Sequence, residues 1–292
     1  MTAALPAFAI EAVFYLGSVF EQTRLAFARI GNFRTQAVML WVSALLPYLV
    51  FALISGTFNR NAFYLLAVLC GVFAFWHALL PRRLAYDIGF LVIAAAPLVL
   101  RTFRRIYWPP DAHTHIEVLG HLMWIRLGIA SLLVLRDWDP GQFGFWPRKS
   151  EWRTGLTWYA IVLVPIFALA VGIHDARFQP VHSVWWRESL FVIGTFFGVL
   201  WVVALGEELF FRGVVERSLL PVDPSPNLAI IVSASLFGAA HLWFHPFPDW
   251  RTACVATLLG VACGMAYARS GSVRAPMVTH AFVVTTWRVF FR

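Results

Sequence analysis

The chain has 292 residues, of which 60% are hydrophobic and 13% charged, and its mean hydropathy is +0.71. A soluble domain carries about 25% charged residues, so the composition excludes an ordinary soluble protein and points to one embedded in a lipid bilayer. The formal charge of +8 comes almost wholly from arginine, Lys149 being the single lysine, and no basic run interleaved with aromatics is present, which argues against a nucleic-acid partner.

A helix needs about 20 apolar residues to cross a bilayer. The N-terminal "MTAALPAFAIEAVFYLGSVFEQTR" lacks the positively charged start of a secretory signal peptide. Glu11 interrupts its apolar stretch, which reads as a first span, with an interfacial amphipathic helix as the alternative. Apolar runs then occur at about 36–57, 62–80, 86–100, 117–135, 156–173, 188–206, 227–244, 252–268 and 275–291. The expected fold is all-α, a polytopic membrane helical bundle of about eight to ten transmembrane helices.

Alternation puts loops near 24–34, 81–83, 136–153, 212–217 and 269–274 on one side. Those breaks hold most of the arginines, so that side is expected to be cytoplasmic, although "RTFRR" at 101–105 violates the pattern. The expected location is a bacterial cytoplasmic (inner) membrane. "DAHTHIEVLGH" gathers Asp111, His113, His115, Glu117 and His121. This stretch reads as an interfacial loop with a capped helix, and a metal site there is the lesser alternative. The longest polar break, 136–155, divides the chain into N-terminal membrane helices of unassigned role (1–155) and a segment, 156–292, that carries the polar residues needing explanation. Cys70, Cys254 and Cys263 fall inside apolar runs without C-x-x-C spacing, which predicts buried packing cysteines.

The densest charge lies in "VVALGEELFFRGVVE", where a charged side chain at a bilayer centre costs about 2.5–3.5 kcal/mol on insertion scales. On a helix, Glu208 and Arg212 are four apart and share a face, so they can pair. Glu207 is rotated by about 100° from Glu208 and has no cation near it in sequence. A desolvated carboxylate without a partner readily accepts a proton, as a general base must.

Two further features follow. "SASLFGAAHLWFHP" has small residues (Ser233, Ala234, Gly238, Ala239, Ala240) that let another helix approach closely, and Phe237 and His241 share a face. His245, one turn on, reads as a surface residue rather than a second metal ligand. "RAPMVTHAFVVTTW" places His280 in the last apolar run, where an imidazole can donate a hydrogen bond to a developing oxyanion.

The order and wording of these motifs resemble the CPBP intramembrane proteases, the family of type II CAAX prenyl endopeptidases. Its Glu-Glu-x-x-x-Arg motif is matched by Glu207, Glu208 and Arg212, and its Phe-x-x-x-His motif by Phe237 and His241. Its His-x-x-x-Asn/Asp motif is matched at His280 only, because Val284 stands at the amide position. The resemblance covers about 188–290. It implies a helical protease core in which Glu207 and His241 activate water, His280 contributes to an oxyanion hole, and Glu208, Arg212 and Phe237 support them. A divalent metal such as zinc is left open, and some relatives are linked to exosortase-type protein sorting.

The function expected on this basis is an endopeptidase acting on a membrane-anchored protein or peptide at the lipid bilayer. Signatures of zinc site-2, rhomboid and presenilin-type proteases are absent. The rival readings are a non-catalytic scaffold or immunity-type relative, favoured by Val284, and a transporter, which would show repeated halves.

Overall fold

In lipid a backbone can satisfy its N–H and C=O groups only by folding on itself, and a single chain of long apolar runs does so as helices. The computed structural model describes residues 4–108, 116–181, 184–220, 226–243 and 246–291, the side chain of Leu84 apart, and these form helices joined by short turns. Among the described residues seven helices are long and apolar enough to cross a membrane, or eight if a pair bent by 87° counts as one span. The chain is an all-α integral membrane protein. It divides into two compact units, Met1–Trp138 and Asp139–Arg292.

The first unit contains α1 (Ala4–Val19), α2 (Glu21–Ala28), α3 (Phe33–Ser55), α4 (Arg60–Leu79), α5 (Leu84–Val99), α6 (Thr102–Ile106) and α7 (Glu117–Leu135). Asparagine side chains start two of them. Asn32 accepts from Thr35 N at 3.0 Å, and Asn59 accepts from the N–H groups of Asn61 and Ala62, the usual way to occupy the open donors of a first turn. The bend between α1 and α2 explains why the N-terminal stretch is no plain span.

Glu11 is not exposed to lipid. It is fully buried, and Arg126 of α7 donates to it at 2.8 and 3.3 Å while also reaching Ser43 Oγ of α3 at 2.9 Å. This buried pair joins α1, α3 and α7 inside the upstream helices, whose role the sequence left unassigned. Its partners lie 115 residues apart, beyond the reach of any local pattern. Asp111, His113 and His115 lie outside the described residues. Of the rest of that cluster, Glu117 lies 3.6 Å from Arg104, and His121 packs edge-on against Phe103.

The second unit contains α8 (Lys149–Gly172), α9 (Trp185–Leu219), α10 (Pro226–Trp243), α11 (Trp250–Ser270) and α12 (Arg274–Phe290). Helix α9 runs on for 35 residues, so the expected loop at 212–217 does not exist. Arg212 is a fully buried side chain within the helix rather than a cytoplasmic loop cation. The loop came from the alternation of charged breaks along the chain, and the i, i+4 pair of Glu208 with Arg212 lets the helix run on instead. Over 199–204 and 209–216 α9 takes the wider π turn, a geometry found often at functional sites.

Small residues decide how closely α10 and α11 meet. A Cβ on Gly238 would stand 1.9 Å from Thr257 Oγ1 and 2.6 Å from the Ala253 carbonyl, so only glycine permits this crossing. Cys263 is buried, but Cys254, half a helical rotation away, is exposed. That corrects the expectation of three buried cysteines. Exposed Val164, Ile161 and Leu190 give α8 and α9 apolar outer faces, suited to lipid rather than water.

Helix α12 is enclosed: every residue from Arg274 to Ala281 is buried. Its start is tied to that of α8. Arg274 Nη2 donates to Glu151 Oε1 at 2.8 Å, Ser272 Oγ donates to the same oxygen at 2.6 Å, and Thr279 Oγ1 donates to the Gly155 carbonyl at 2.9 Å. These bonds fix the height of His280, the next residue. Breaking a buried pair by removing one partner costs about 3–5 kcal/mol. Arg274→Ala is therefore expected to lower unfolding stability by about 3 kcal/mol, read from denaturation in micelles followed by tryptophan fluorescence.

Candidate active site

One turn of α9 carries Glu207 and Glu208 side by side, and the helix turns them to different surroundings. Glu208 is fully buried. Its Oε2 lies 2.8 Å from Arg212 Nη1, the i, i+4 pair, and its Oε1 lies 2.7 Å from His280 Nδ1 on α12. A carboxylate oxygen only accepts here, so Nδ1 carries the hydrogen and donates, leaving Nε2 as the outward nitrogen. That nitrogen lies 3.9 Å from Glu207 Oε2. The Glu207 side chain keeps 35% of its exposure, whereas its Oε2 atom is buried and has no hydrogen-bond partner. The two carboxylates thus bracket one imidazole, Glu208 inside and Glu207 towards the opening.

Arg212 is neutralised by Glu208 and held by the fold. Its Nη2 donates to the Gly260 carbonyl at 2.8 Å, and its guanidinium lies over the Phe237 ring, 4.9 Å from the centroid. A cation over an aromatic face is stabilised further where water is excluded. The Phe237 ring also meets both histidines, with centroids 4.8 Å from His241 and, edge to face, 5.8 Å from His280. His241 sits in the last turn of α10. A carbonyl cannot donate, so its Nδ1–H must be the donor to the Phe237 carbonyl at 2.8 Å, and Nε2 is its acceptor nitrogen.

The structure therefore brings Glu207, Glu208, Arg212, Phe237 and His280 into one cluster, with His241 joined to it through Phe237. Sequence reasoning gave Glu208 to Arg212 alone and missed its bond to His280. Helix arithmetic compares residues on one helix, and these two are 72 residues apart. It also passed over Cys263 and Glu216. For Glu216 the signal was present, a carboxylate within an apolar run. For Cys263 there was none. His245 lies outside the described residues. Near the missing amide position, Thr286 exchanges a hydrogen bond with Tyr159 at 2.8 Å, and Thr285 Oγ1 is buried without a partner.

Among the described residues one group could hold a metal ion: Glu208, Cys263 and His280 each place a ligand atom within 4.8 Å of the others. Carboxylate, thiolate and imidazole are ligands zinc takes. Arg212 already supplies the positive charge that Glu208 needs, and a dication would stand beside that guanidinium. Cys263→Ser is accordingly expected to leave the zinc content of the purified protein unchanged, as read by elemental analysis. A stoichiometric loss of zinc would reverse this reading.

These features define an integral membrane protein whose buried centre is built from two glutamates, an arginine and histidines on separate helices. Residues 188–286 match the sequence model of the family described as type II CAAX prenyl endopeptidase Rce1-like, and this match supports a CAAX/CPBP-type domain over that part of the chain. Comparison with curated proteins and with solved structures gives no match.

Proposed function

We propose that the chain is an intramembrane endopeptidase that hydrolyses a peptide bond in a membrane-anchored protein or peptide. The observation that carries the reading is the approach of Glu207 Oε2 to His280 Nε2 at 3.9 Å, with Glu208 behind the ring at 2.7 Å. Two acceptors face each other there, and a water molecule donating one hydrogen to each would satisfy both.

In this reading Glu207, aided by His241, takes a proton from the attacking water and passes it to the leaving nitrogen. His280, once it has taken a proton at Nε2 from the medium, donates from that nitrogen to the oxyanion of the tetrahedral intermediate and keeps the proton as the intermediate collapses. Glu208 fixes the orientation of the ring and compensates the charge that forms on it, as the buried carboxylate of a catalytic triad does. Arg212 and Phe237 hold Glu208 and the two imidazoles in place. Domain 156–292 carries the chemistry, and C-terminal processing or sorting of anchored proteins is the role the reading favours.

Val284 favours a second reading, a non-catalytic scaffold or immunity-type relative, because an aliphatic side chain supplies no hydrogen bond where the family's motif has an amide. The two readings part in a single experiment. The purified chain in lipid nanodiscs is incubated with a pool of lipid-anchored peptides, and products are read by mass spectrometry beside the Glu207→Gln variant. Cleavage by the native chain and none by the variant supports the endopeptidase. Binding of peptides without any new terminus supports the scaffold.

A further inference from the structure

Helix α8 begins Lys-Ser-Glu-Trp-Arg-Thr-Gly-Leu, and its two sides carry different chemistry. On a helix Glu151 and Gly155 lie about 200° and 240° around the axis from Lys149, whereas Arg153, Leu156 and Ala160 lie within about 40° of it. The inner side is fully engaged. Glu151 is buried, its Oε1 accepts from Arg274 and Ser272, its Oε2 accepts from the Arg148 N–H, and the Gly155 carbonyl accepts from Thr279.

The outer side is open. A groove of about 950 Å³ runs along it from Lys149 past Trp152 and Arg153 to Leu156 and Ala160. Lys149 and Arg153 are exposed, and neither has an ion-pair partner among the described residues. The acid between them in sequence, Glu151, is turned to the other side, so the groove holds two cations with no anion to answer them. Residues four apart on a helix stand about 5–6 Å from each other at Cβ, close enough for one phosphate to meet both.

The same groove carries its own depth marks. Trp152 is half-buried, its ring against Trp146, Phe196 and Phe282. Tryptophan concentrates at the headgroup level of a bilayer, which puts the two cations beside it where lipid phosphates lie. Further along, the face is apolar: Leu156 is 41% exposed and Val164 73%, with Ala160 exposed between them. Arg153 to Val164 spans about 16 Å of helix, and one leaflet of hydrocarbon is about 15 Å thick. A cation pair followed by an apolar strip of one leaflet's depth has the order of a phospholipid from phosphate to chain end.

We propose that this face of α8 is a binding site for an anionic phospholipid. Lys149 and Arg153 hold the phosphate, Trp152 flanks it, and an acyl chain lies along Leu156, Ala160 and Val164. A zwitterionic headgroup brings its own cation to the pair and is held less. The occupied site braces the two turns of α8 whose far side fixes α12, so the anionic lipid raises the melting temperature.

The full chain is placed in nanodiscs of mixed phosphatidylcholine and phosphatidylglycerol, and native mass spectrometry counts the lipids that stay bound once the disc is removed. Phosphatidylglycerol should be retained in preference. Lys149→Gln/Arg153→Gln should lower that preference about 30-fold, from about 1 kcal/mol for each basic residue at an anionic surface. Arg187→Gln, which removes an exposed cation at the start of α9, should leave it in place. Equal retention of the two lipids, an unchanged preference in a double variant that melts cooperatively, or an equal fall in Arg187→Gln overturns the proposal. Inorganic phosphate added to discs of phosphatidylcholine alone should not raise the melting temperature as phosphatidylglycerol does. An equal rise would make this a free-anion site and remove the lipid. If the double variant does not melt cooperatively, each single variant is measured, with an expected loss of about 5-fold. If neither single variant folds, the two cations are folding requirements and the lipid site is wrong.

Discussion

Glu207→Gln is expected to lower kcat by about 10²–10⁴-fold, the range a positioned general base contributes, with little change in KM. The reasoning starts from the surroundings of the two adjacent carboxylates. Glu208 is fully buried, paired with the Arg212 charge at 2.8 Å and hydrogen-bonded to His280, so any change there disturbs the fold. Glu207 keeps 35% of its side-chain exposure and makes no ion pair shorter than the 3.9 Å approach to His280. An amide of the same shape leaves the packing alone and removes only the capacity to accept and return a proton. The variant should therefore melt as the native chain does while losing turnover. Peptide cleavage in nanodiscs, with melting measured beside it, checks both halves of the statement. Full activity in Glu207→Gln would sink the assignment, and a loss of activity that tracks a loss of folded protein would show that the residue is structural.

How much of this was legible beforehand differs from residue to residue. Long apolar runs dictate helices in lipid, so the helices at 33–55, 60–79, 117–135, 149–172 and 250–270 follow from composition and length. The 212–217 loop did not follow, because it rested on the alternation of charged breaks, and the i, i+4 pairing of Arg212 overrides it. Its neutralisation by Glu208 at 2.8 Å lets α9 continue through it. The Glu208–Arg212 pair could be drawn from a spacing of four, whereas the bond from His280 to Glu208 could not, since it depends on where α12 docks. That docking is set by Arg274, Ser272 and Thr279 against α8, and no periodicity encodes it. Buried Glu11 shows the same limit in the first unit. Its interruption of an apolar run was visible, and its partner on α7 was not.

The position of Val284 sharpens what the domain needs from its other groups. Four residues after His280 it occupies nearly the same helix face, and it brings no donor there. Thr285 is rotated by about 140° from His280 along α12 and Thr286 by about 240°, and Thr286 is already engaged with Tyr159. Neither hydroxyl takes over the amide's place by helix geometry. In the proposed endopeptidase, electrostatic support for the oxyanion would then rest on His280, and on how firmly Glu208 and Arg212 hold it.

That dependence makes the buried pair the second place where a large effect is expected. Arg212→Met leaves Glu208 fully buried with a single partner, His280, and Glu208→Met leaves Arg212 with the Gly260 carbonyl and the Phe237 face. Each single change is expected to cost about 3–5 kcal/mol of stability, because it strands a charge. The double variant Glu208→Met/Arg212→Met removes both charges and fills the space with apolar side chains. It should recover a large part of the loss, giving a coupling above the 0.5–3 kcal/mol common for residues in contact, at about 3 kcal/mol or more. Denaturation of the four proteins in micelles measures the cycle directly. Additive losses would mean that the two side chains are not a pair in the membrane, and the chain of contacts from Arg212 through Glu208 to His280 would fail with them. Recovered stability without recovered cleavage is the expected combination, since the double variant restores the packing of α9 but leaves the His280 ring with no carboxylate to orient it.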